Sequence, residues 1–531
     1  ADRKRYQMEM KHTIEKQENL NIKQAEITKI NIKDNAVESI ETSVGAVYNV
    51  KTVILATGTY LKGKIFMGEY SQESGPDGVF AANELSDCLK ELGIKIVRFK
   101  TGTPARINKK TIDFSKMEIQ EGDTNIIPFS FMDKAPTIEQ VPCYLTYTNS
   151  ITHKIILDNL DKSAMYGGYV KGIGPRYCPS IEDKIVRFKD KERHQLFLEP
   201  ESIYTDSIYL QGFSTSMPID VQEKMVHSLK GLENAEILKY AYAIEYDAIE
   251  PMQFDKSLAL RNIKGLYGAG QIIGTSGYEE AAALGLMAGI NAALYVKGEE
   301  PFILNRHEAY IGVMIDDLVT KGTKEPYRLL SSRSEYRLLT RSDNALSRLF
   351  EKGYKLGLNS EERAKRFANR EEKITIWKDF VKKTHVGKNE ELLNLLKTKE
   401  ITFVEPGSKS LEDLIKSKAI TYDEIKNIFP ALPELTYDES LSMMIDIQYV
   451  GYIDLEKREA ERMMVAENYP LPLDIDYMKI EGISMEAREK LNIIKEKLKS
   501  KEDKKEEKQT TEQNQVVEES KLKTLYIGSE S

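Results

Sequence analysis

The chain has little cysteine. Its 531 residues hold three: Cys88, Cys143 and Cys178. None are paired at close spacing, which argues against a disulfide framework or a cysteine-rich zinc site and fits a reducing cytoplasm. Histidine is scarce too. His12, His153, His194, His227, His307 and His385 show no metal-ligand spacing. No nucleophile elbow or readable Ser-His-Asp arrangement is present, so metal catalysis and acyl transfer are disfavoured. No apolar run is long enough to span a bilayer, and no secretory signal is visible. A basic excess is also missing: the net charge is −8, so any nucleic-acid site must be a local patch.

What is present reads as a soluble globular chain of two to four domains, with 41% hydrophobic and 30% charged residues. It opens in a helix-like run, ADRKRYQMEMKHTIEK. From residue 20 to 58 short strands alternate around a turn at Asp34-Asn35. TVILATG follows, an apolar run suited to a strand buried on both faces of a parallel sheet. Residues 82 to 93 read as a short helix. Residues 105 to 240 are rich in Gly, Pro and Tyr and show no long helical pattern. From about 305 to 500 the pattern is mostly helical. From about 496 the chain is highly charged and poor in large apolar residues, the composition of a disordered tail.

Three stretches carry chemistry. In GPRYCPSIEDKIVRF, Ser180 is placed to cap a helix, with Asp183 three residues on. Cys178 then lies beside a helix N-terminus with Arg176 and Lys184 near in sequence, a setting that favours thiolate. The alternative is a small buried residue, as most cysteines are. In GLYGAGQIIGTSGYEEAAALGLMAGINAAL, Gly268, Gly270, Gly274 and Gly277 precede a helix starting near Tyr278. Strand, glycine turn and small-residue helix suit a ligand at the helix N-terminus, or equally a tight helix–sheet contact. The spacing is not the dinucleotide fingerprint. In KGTKEPYRLLSSRSEYRLLTRSDNA, a helical reading puts Arg333, Arg337 and Arg341 on one face, with Lys324, Arg328, Tyr327 and Tyr336 close by. Arginine with aromatic rings suits RNA; a solvated face partly neutralised by Glu325 and Glu335 is the alternative.

These three stretches resemble the signature segments of the MnmG (GidA) family of tRNA uridine 5-carboxymethylaminomethyl modification enzymes. The resemblance runs from Ala1 to about residue 495 and includes KTGTPARI, FLEPE and IQYVGYI. It implies an α/β FAD-binding domain of the two-dinucleotide-binding, Rossmann-like type (1–104 and 240–300). It also implies an inserted α/β NAD or substrate domain (105–239) and a mostly α-helical C-terminal region (301–495), before a charged tail (496–531). It implies FAD and NAD(H) as cofactors, methylene-tetrahydrofolate as one-carbon donor, glycine as the amine, tRNA as substrate, a homodimer, and the GTPase MnmE as partner.

By the same resemblance Cys178 is catalytic. Gly174, Pro175, Arg176, Tyr177, Cys178, Pro179, Ser180, Ile181, Glu182, Asp183, Lys184, Ile185, Val186, Arg187 and Phe188 form the NAD-binding segment. Gln271 is a flavin contact, Gly58 a cofactor contact and Glu26, more loosely, an adenine-side backbone contact. Arg333, Arg337, Arg341, Lys324 and Arg328 are the expected RNA contacts. The family begins with a strand, a glycine-rich fingerprint and a second cysteine, and the sequence as written starts after them. FAD binding by this chain alone is therefore expected to be weak or absent. The family's compact C-terminal subdomain, which docks MnmE, is expected to be replaced by the charged tail. The alternatives are a folate- and FAD-dependent tRNA uridine methyltransferase and a catalytically incomplete tRNA-binding fragment.

Overall fold

The structure, a computed structural model, describes residues 2–499 apart from 125, 135–138, 177–178, 402–408, 468–471, 473, 486, 490 and 497. The chain divides into two compact units, Ala1–Ile453 and Asp454–Ser531.

In the first unit, Asp2 caps the helix Arg3–Glu15 by accepting the Arg5 N–H at 2.9 Å. None of that helix is buried, which its polar sequence explains. The strands Ile27–Lys33, Ala36–Thr42 and Val47–Asn49 form an antiparallel meander. Asp34 and Asn35 make its first turn with φ of 51° and 59°, the left-handed pair that a two-residue hairpin needs. Alternation along these strands sends Ile30 and Val37 into the core.

Val53–Leu55 lies next, paired in parallel with Leu266–Gly268, from more than two hundred residues on. Both strands run apolar and short, as parallel strands do. The helix Tyr278–Lys297 follows, burying Leu284, Met287, Ala288, Asn291 and Leu294. Gly298, at φ 74°, ends it in the left-handed conformation that a Cβ would oppose.

Between the two parallel strands the chain builds two antiparallel sheets. One has four strands, in the order Tyr70–Glu73, Lys64–Met67, Tyr242–Ile249 and Ile96–Thr103. The other has six, in the order Ile237–Lys239, Arg106–Asn108, Ser207–Gln211, Gln195–Pro200, Cys143–Tyr147 and Glu118–Gln120. Its core gathers Ile107, Leu196, Leu198 and Leu210 from strands. The helices Ser150–Asp158, Ile181–Arg187 and Ile219–His227 add Ile156, Ile181 and Met225.

The later part is helical, with its own core around Trp377 of the helix Glu361–Lys383. The Trp377 indole N–H donates to the Pro433 carbonyl at 2.7 Å, so the buried ring leaves no orphan donor. Short helices start at Ser410, Thr421 and Thr436, each capped reciprocally by the acid three residues on.

The segment 321–345 is not a helix. Ser331–Arg333 makes a single 3-10 turn, and the next helix is Ala345–Lys355. The backbone of the segment bonds outward instead. The Tyr327 N–H donates to the Gly274 carbonyl at 2.8 Å. The Tyr310 hydroxyl donates to the Leu330 carbonyl at 2.7 Å and accepts the Leu330 N–H at 2.9 Å. Tertiary partners have overridden the local spacing. The expected stripe of Arg333, Arg337 and Arg341 therefore does not exist as a helix face.

In the second unit Tyr477 is buried and its hydroxyl donates to the Pro472 carbonyl at 2.8 Å. Lys495 Nζ donates to the Ile475 carbonyl at 2.7 Å. The charged stretch from 500 on lies outside the described residues.

Candidate functional site

Parallel pairing brings the carboxyl ends of Val53–Leu55 and Leu266–Gly268 to the same edge, where open α/β sheets bind ligands. Thr57-Gly58 leaves one strand there and Gly270-Gln271 leaves the other. Gly58 has φ +57°, and a Cβ on it would stand 3.7 Å from Gln271 Oε1, so the two turns face each other closely. Gly270 and Gly274 also take positive φ, 76° and 91°. A cavity of about 1010 Å³ opens beside this edge, lined by Glu26, Val53, Thr57, Gly58, Tyr60 and Phe80 among others. Thr57 Oγ1 is buried there without a hydrogen-bond partner among the described residues, a polar group that a ligand could satisfy. Glu26 and Gly58 thus share one cavity, with Gln271 against Gly58.

The sequence did not disclose what anchors this turn. Glu280, in the first turn of the helix Tyr278–Lys297, is buried, and its Oε1 accepts the Leu329 N–H at 2.8 Å. Its Oε2 faces Arg328 at 3.7 Å. Arg333 lies over the Tyr327 ring, 4.3 Å from its centre, and the Tyr327 hydroxyl donates to Asp317 at 3.3 Å. The segment 321–345 is thereby fastened across the glycine turn. Of the five expected RNA contacts, Lys324 and Arg337 are exposed. Arg328 faces Glu280, and Arg333 is partly covered by its stacking. Arg341 is bound to Asp343 and, at 2.5 Å, to Asp446.

In GPRYCPSIEDKIVRF, Tyr177 and Cys178 lie outside the described residues. The capping expected beside them is present: Ser180 Oγ accepts the Asp183 N–H at 3.4 Å and donates to Asp183 Oδ2 at 3.1 Å. Glu182 is fully buried. Its Oε1 accepts from Ser163 Oγ and from the amide and hydroxyl of Ser216, while Oε2 has no partner among the described residues. Tyr166 donates to Asp183 at 3.1 Å; burial, with that carboxylate adding to it, pushes the phenol pKa up to about 12. Lys184, expected to supply charge near the thiol, donates to the Gly212 carbonyl at 3.1 Å. Ile181 and Ile185 are buried, Pro175 is buried beside Lys100, and Arg176, Arg187 and Phe188 are exposed. Pro179, Val186 and Gly174 are half-buried. The other cysteines are ordinary: Cys88 is buried, its sulfur accepting the Ile30 N–H at 3.4 Å, and Cys143 is half-buried.

No cluster of metal-ligating side chains occurs among the described residues, and no described helix is long and apolar enough to cross a membrane.

Comparison with known proteins agrees along most of the chain. The sequence profile described as glucose inhibited division protein A matches residues 1–300. Profiles of the MnmG/GidA C-terminal helical domain and C-terminal helical bundle match 361–457 and 459–498. The bundle thus reaches into the stretch where the charged tail was expected to replace it. The tRNA uridine 5-carboxymethylaminomethyl modification enzyme MnmG of Clostridium botulinum is 51% identical over 495 residues, 93% of this chain and 79% of that protein. That of Alkaliphilus oremlandii is 53% identical, covering 93% of this chain and 78% of its own length. Aquifex aeolicus GidA in its form I crystal superposes with a TM-score of 0.81 at 46% identity, over 93% of this chain and 80% of that one.

Proposed function

The chain belongs to the MnmG/GidA family, and from that membership we propose that it is a flavin-dependent enzyme modifying tRNA uridine, installing a carboxymethylaminomethyl group at C5 of the wobble base. The observation that carries this reading is identity above one half across 93% of the chain, spanning the glycine turn and the Cys178 segment.

The cavity residues fit a flavin dinucleotide. Gly58 and Gln271, facing each other at the carboxyl edge of the parallel pair, would hold it, with Thr57 offering a hydroxyl that has no partner among the described residues and Glu26 in the wall of the same cavity. FAD, when bound, supplies electron transfer from NADH. Methylene-tetrahydrofolate and glycine supply the carbon and nitrogen. The GTPase MnmE, a second copy of this chain and a cytoplasmic setting complete the reading.

The chain's own chemistry centres on Cys178. Carbon C5 of uracil is a weak nucleophile. A thiolate adding to C6 forms a sulfur–carbon bond and moves the C5–C6 π pair toward C5 and O4. The carbon then attacks an electrophilic methylene group. Loss of the C5 proton and departure of the thiolate restore the double bond.

Replacing Cys178 with Ser tests this. The variant is expected to bind tRNA with unchanged affinity and to leave the wobble uridine unmodified, read by nucleoside mass spectrometry. Unchanged modification would remove the thiol from the mechanism.

A further inference from the structure

Phe80 is 91% exposed, so almost nothing among the described residues packs on its ring. It lies in the connection from the strand Tyr70–Glu73 to the helix Glu84–Glu91, and it stands in the wall of the cavity beside Gly58, with Tyr60 and Val79. A single exposed apolar residue is commonplace on a protein surface. What sets Phe80 apart is the loop that presents it.

That loop is held at its base, its tip and its far end. At the base, the Gly75 N–H donates to the Val79 carbonyl at 2.7 Å, and the buried Ser74 hydroxyl donates to the Gly75 carbonyl at 2.8 Å. At the tip, Asp77 and Gly78 turn the chain back with φ of 59° and 78°. Lys239 pairs with Asp77, and the Tyr242 hydroxyl accepts the Asp77 N–H at 3.2 Å. At the far end, the Ala82 N–H donates to the Tyr60 carbonyl at 2.9 Å, and the Lys62 N–H donates to the Ala82 carbonyl at 3.0 Å. The loop also lies against the Tyr60 ring. A Cβ on Gly75 would stand 2.6 Å from Tyr60 Cδ1, and one on Gly58 would stand 3.9 Å from Tyr60 Cδ2. Tyr60 thus joins the loop that carries Phe80 to the turn that faces Gln271.

A backbone fixed in this way has little freedom left to lose when a ligand arrives. An open ring on such a mount, in the wall of a cavity, is preorganised to stack on a flat partner. We propose that Phe80 is the aromatic wall on which a planar ring of the bound dinucleotide stacks, with residues 74–82 as its rigid mount. This rests on the flavin reading of the cavity and adds to it a residue that the reading does not include. The chemistry recognised is a flat heteroaromatic ring, which isoalloxazine and adenine both offer.

The experiment measures the affinity of the whole chain for FAD, FMN and ADP by equilibrium dialysis, with ligand raised to millimolar concentration. Wild type is compared with Phe80→Ala and Phe80→Trp. Phe80→Ala is expected to weaken FAD binding about 10- to 100-fold, the worth of one aromatic ring stacked on a heterocycle. Its ligand-free melting temperature is expected to match the wild type, because an exposed ring gives up no packing. Phe80→Trp is expected to keep the affinity, and its indole fluorescence is expected to be quenched by FAD. The chain's one natural tryptophan, Trp377, is fully buried and supplies a constant background. A loss of affinity for FMN assigns the stacked ring to isoalloxazine, and a loss for ADP assigns it to adenine. Unchanged FAD affinity in Phe80→Ala overturns the stacking role and leaves the flavin cavity standing. Should Phe80→Ala fail to fold, an unquenched indole in FAD-saturated Phe80→Trp overturns it in the same way. Absence of saturable FAD binding by the wild type overturns both readings.

Discussion

Arg337 and Arg341 are four residues apart in the same segment and have opposite environments. Arg341 is held by Asp343 and Asp446 and is nearly buried, so its charge is spent inside the protein. Arg337 is exposed and, like Lys324, free to meet a phosphate. Replacing Arg337 with Ala is expected to weaken tRNA binding and to reduce the slope of log affinity against log salt by about 1. Replacing Arg341 with Ala is expected to lower stability by about 1–3 kcal/mol, because Asp446 loses its charged donor. An unchanged salt slope for Arg337→Ala would make that side chain a solvated charge, and an undiminished melting temperature for Arg341→Ala would contradict the role of its ion pairs. The sequence showed both arginines and could not separate them. What separates them is Asp446, more than a hundred positions away.

At the scale of elements, legibility followed the range of the forces. The hairpin at Asp34-Asn35 and the glycine turn before Tyr278 are set by local backbone demands, and both stand where the sequence put them. The arginine helix failed because Gly274 and Tyr310 offered the segment better backbone partners than its own turn. Another contact between elements is titratable. His153, on the helix Ser150–Asp158, and His194, just before the strand Gln195–Pro200, lie with ring centres 5.6 Å apart. His153 Nε2 is 2.7 Å from Thr148 Oγ1, and His194 Nε2 is buried without a partner among the described residues. Burial lowers both pKa values from 6.5, and for His194 the charges of His153, Lys184 and Lys191 act in the same direction. The folded chain therefore resists protons that the unfolded chain accepts near pH 6.5. Stability from this pair is full above that pH and is lost as pH falls below it. The urea midpoint is expected to drop between pH 7 and 5, and to drop less in His194→Gln. An equal drop in the variant would show that other groups govern it.

For the molecule as a whole, the sequence carried more than the fold principles could. A continuous apolar run marked Val53–Leu55 as a buried strand and apolar periodicity marked the helical C-terminal part, whereas the pairing with Leu266–Gly268 came only from the structure and the family only from long segments whose meaning lies in chemistry. The three largest buried clusters among the described residues, around Leu266, Leu198 and Trp377, give each region its own core. On that frame the flavin edge and the Cys178 segment are proposed to serve one reaction. The most direct measurement of that claim is nucleoside mass spectrometry of tRNA incubated with this protein, its GTPase partner, FAD, NADH, methylene-tetrahydrofolate and glycine. The account predicts carboxymethylaminomethyluridine at the wobble position, dependent on this chain and lost in Cys178→Ser. A tRNA that is bound but returned with its wobble uridine unaltered would contradict it.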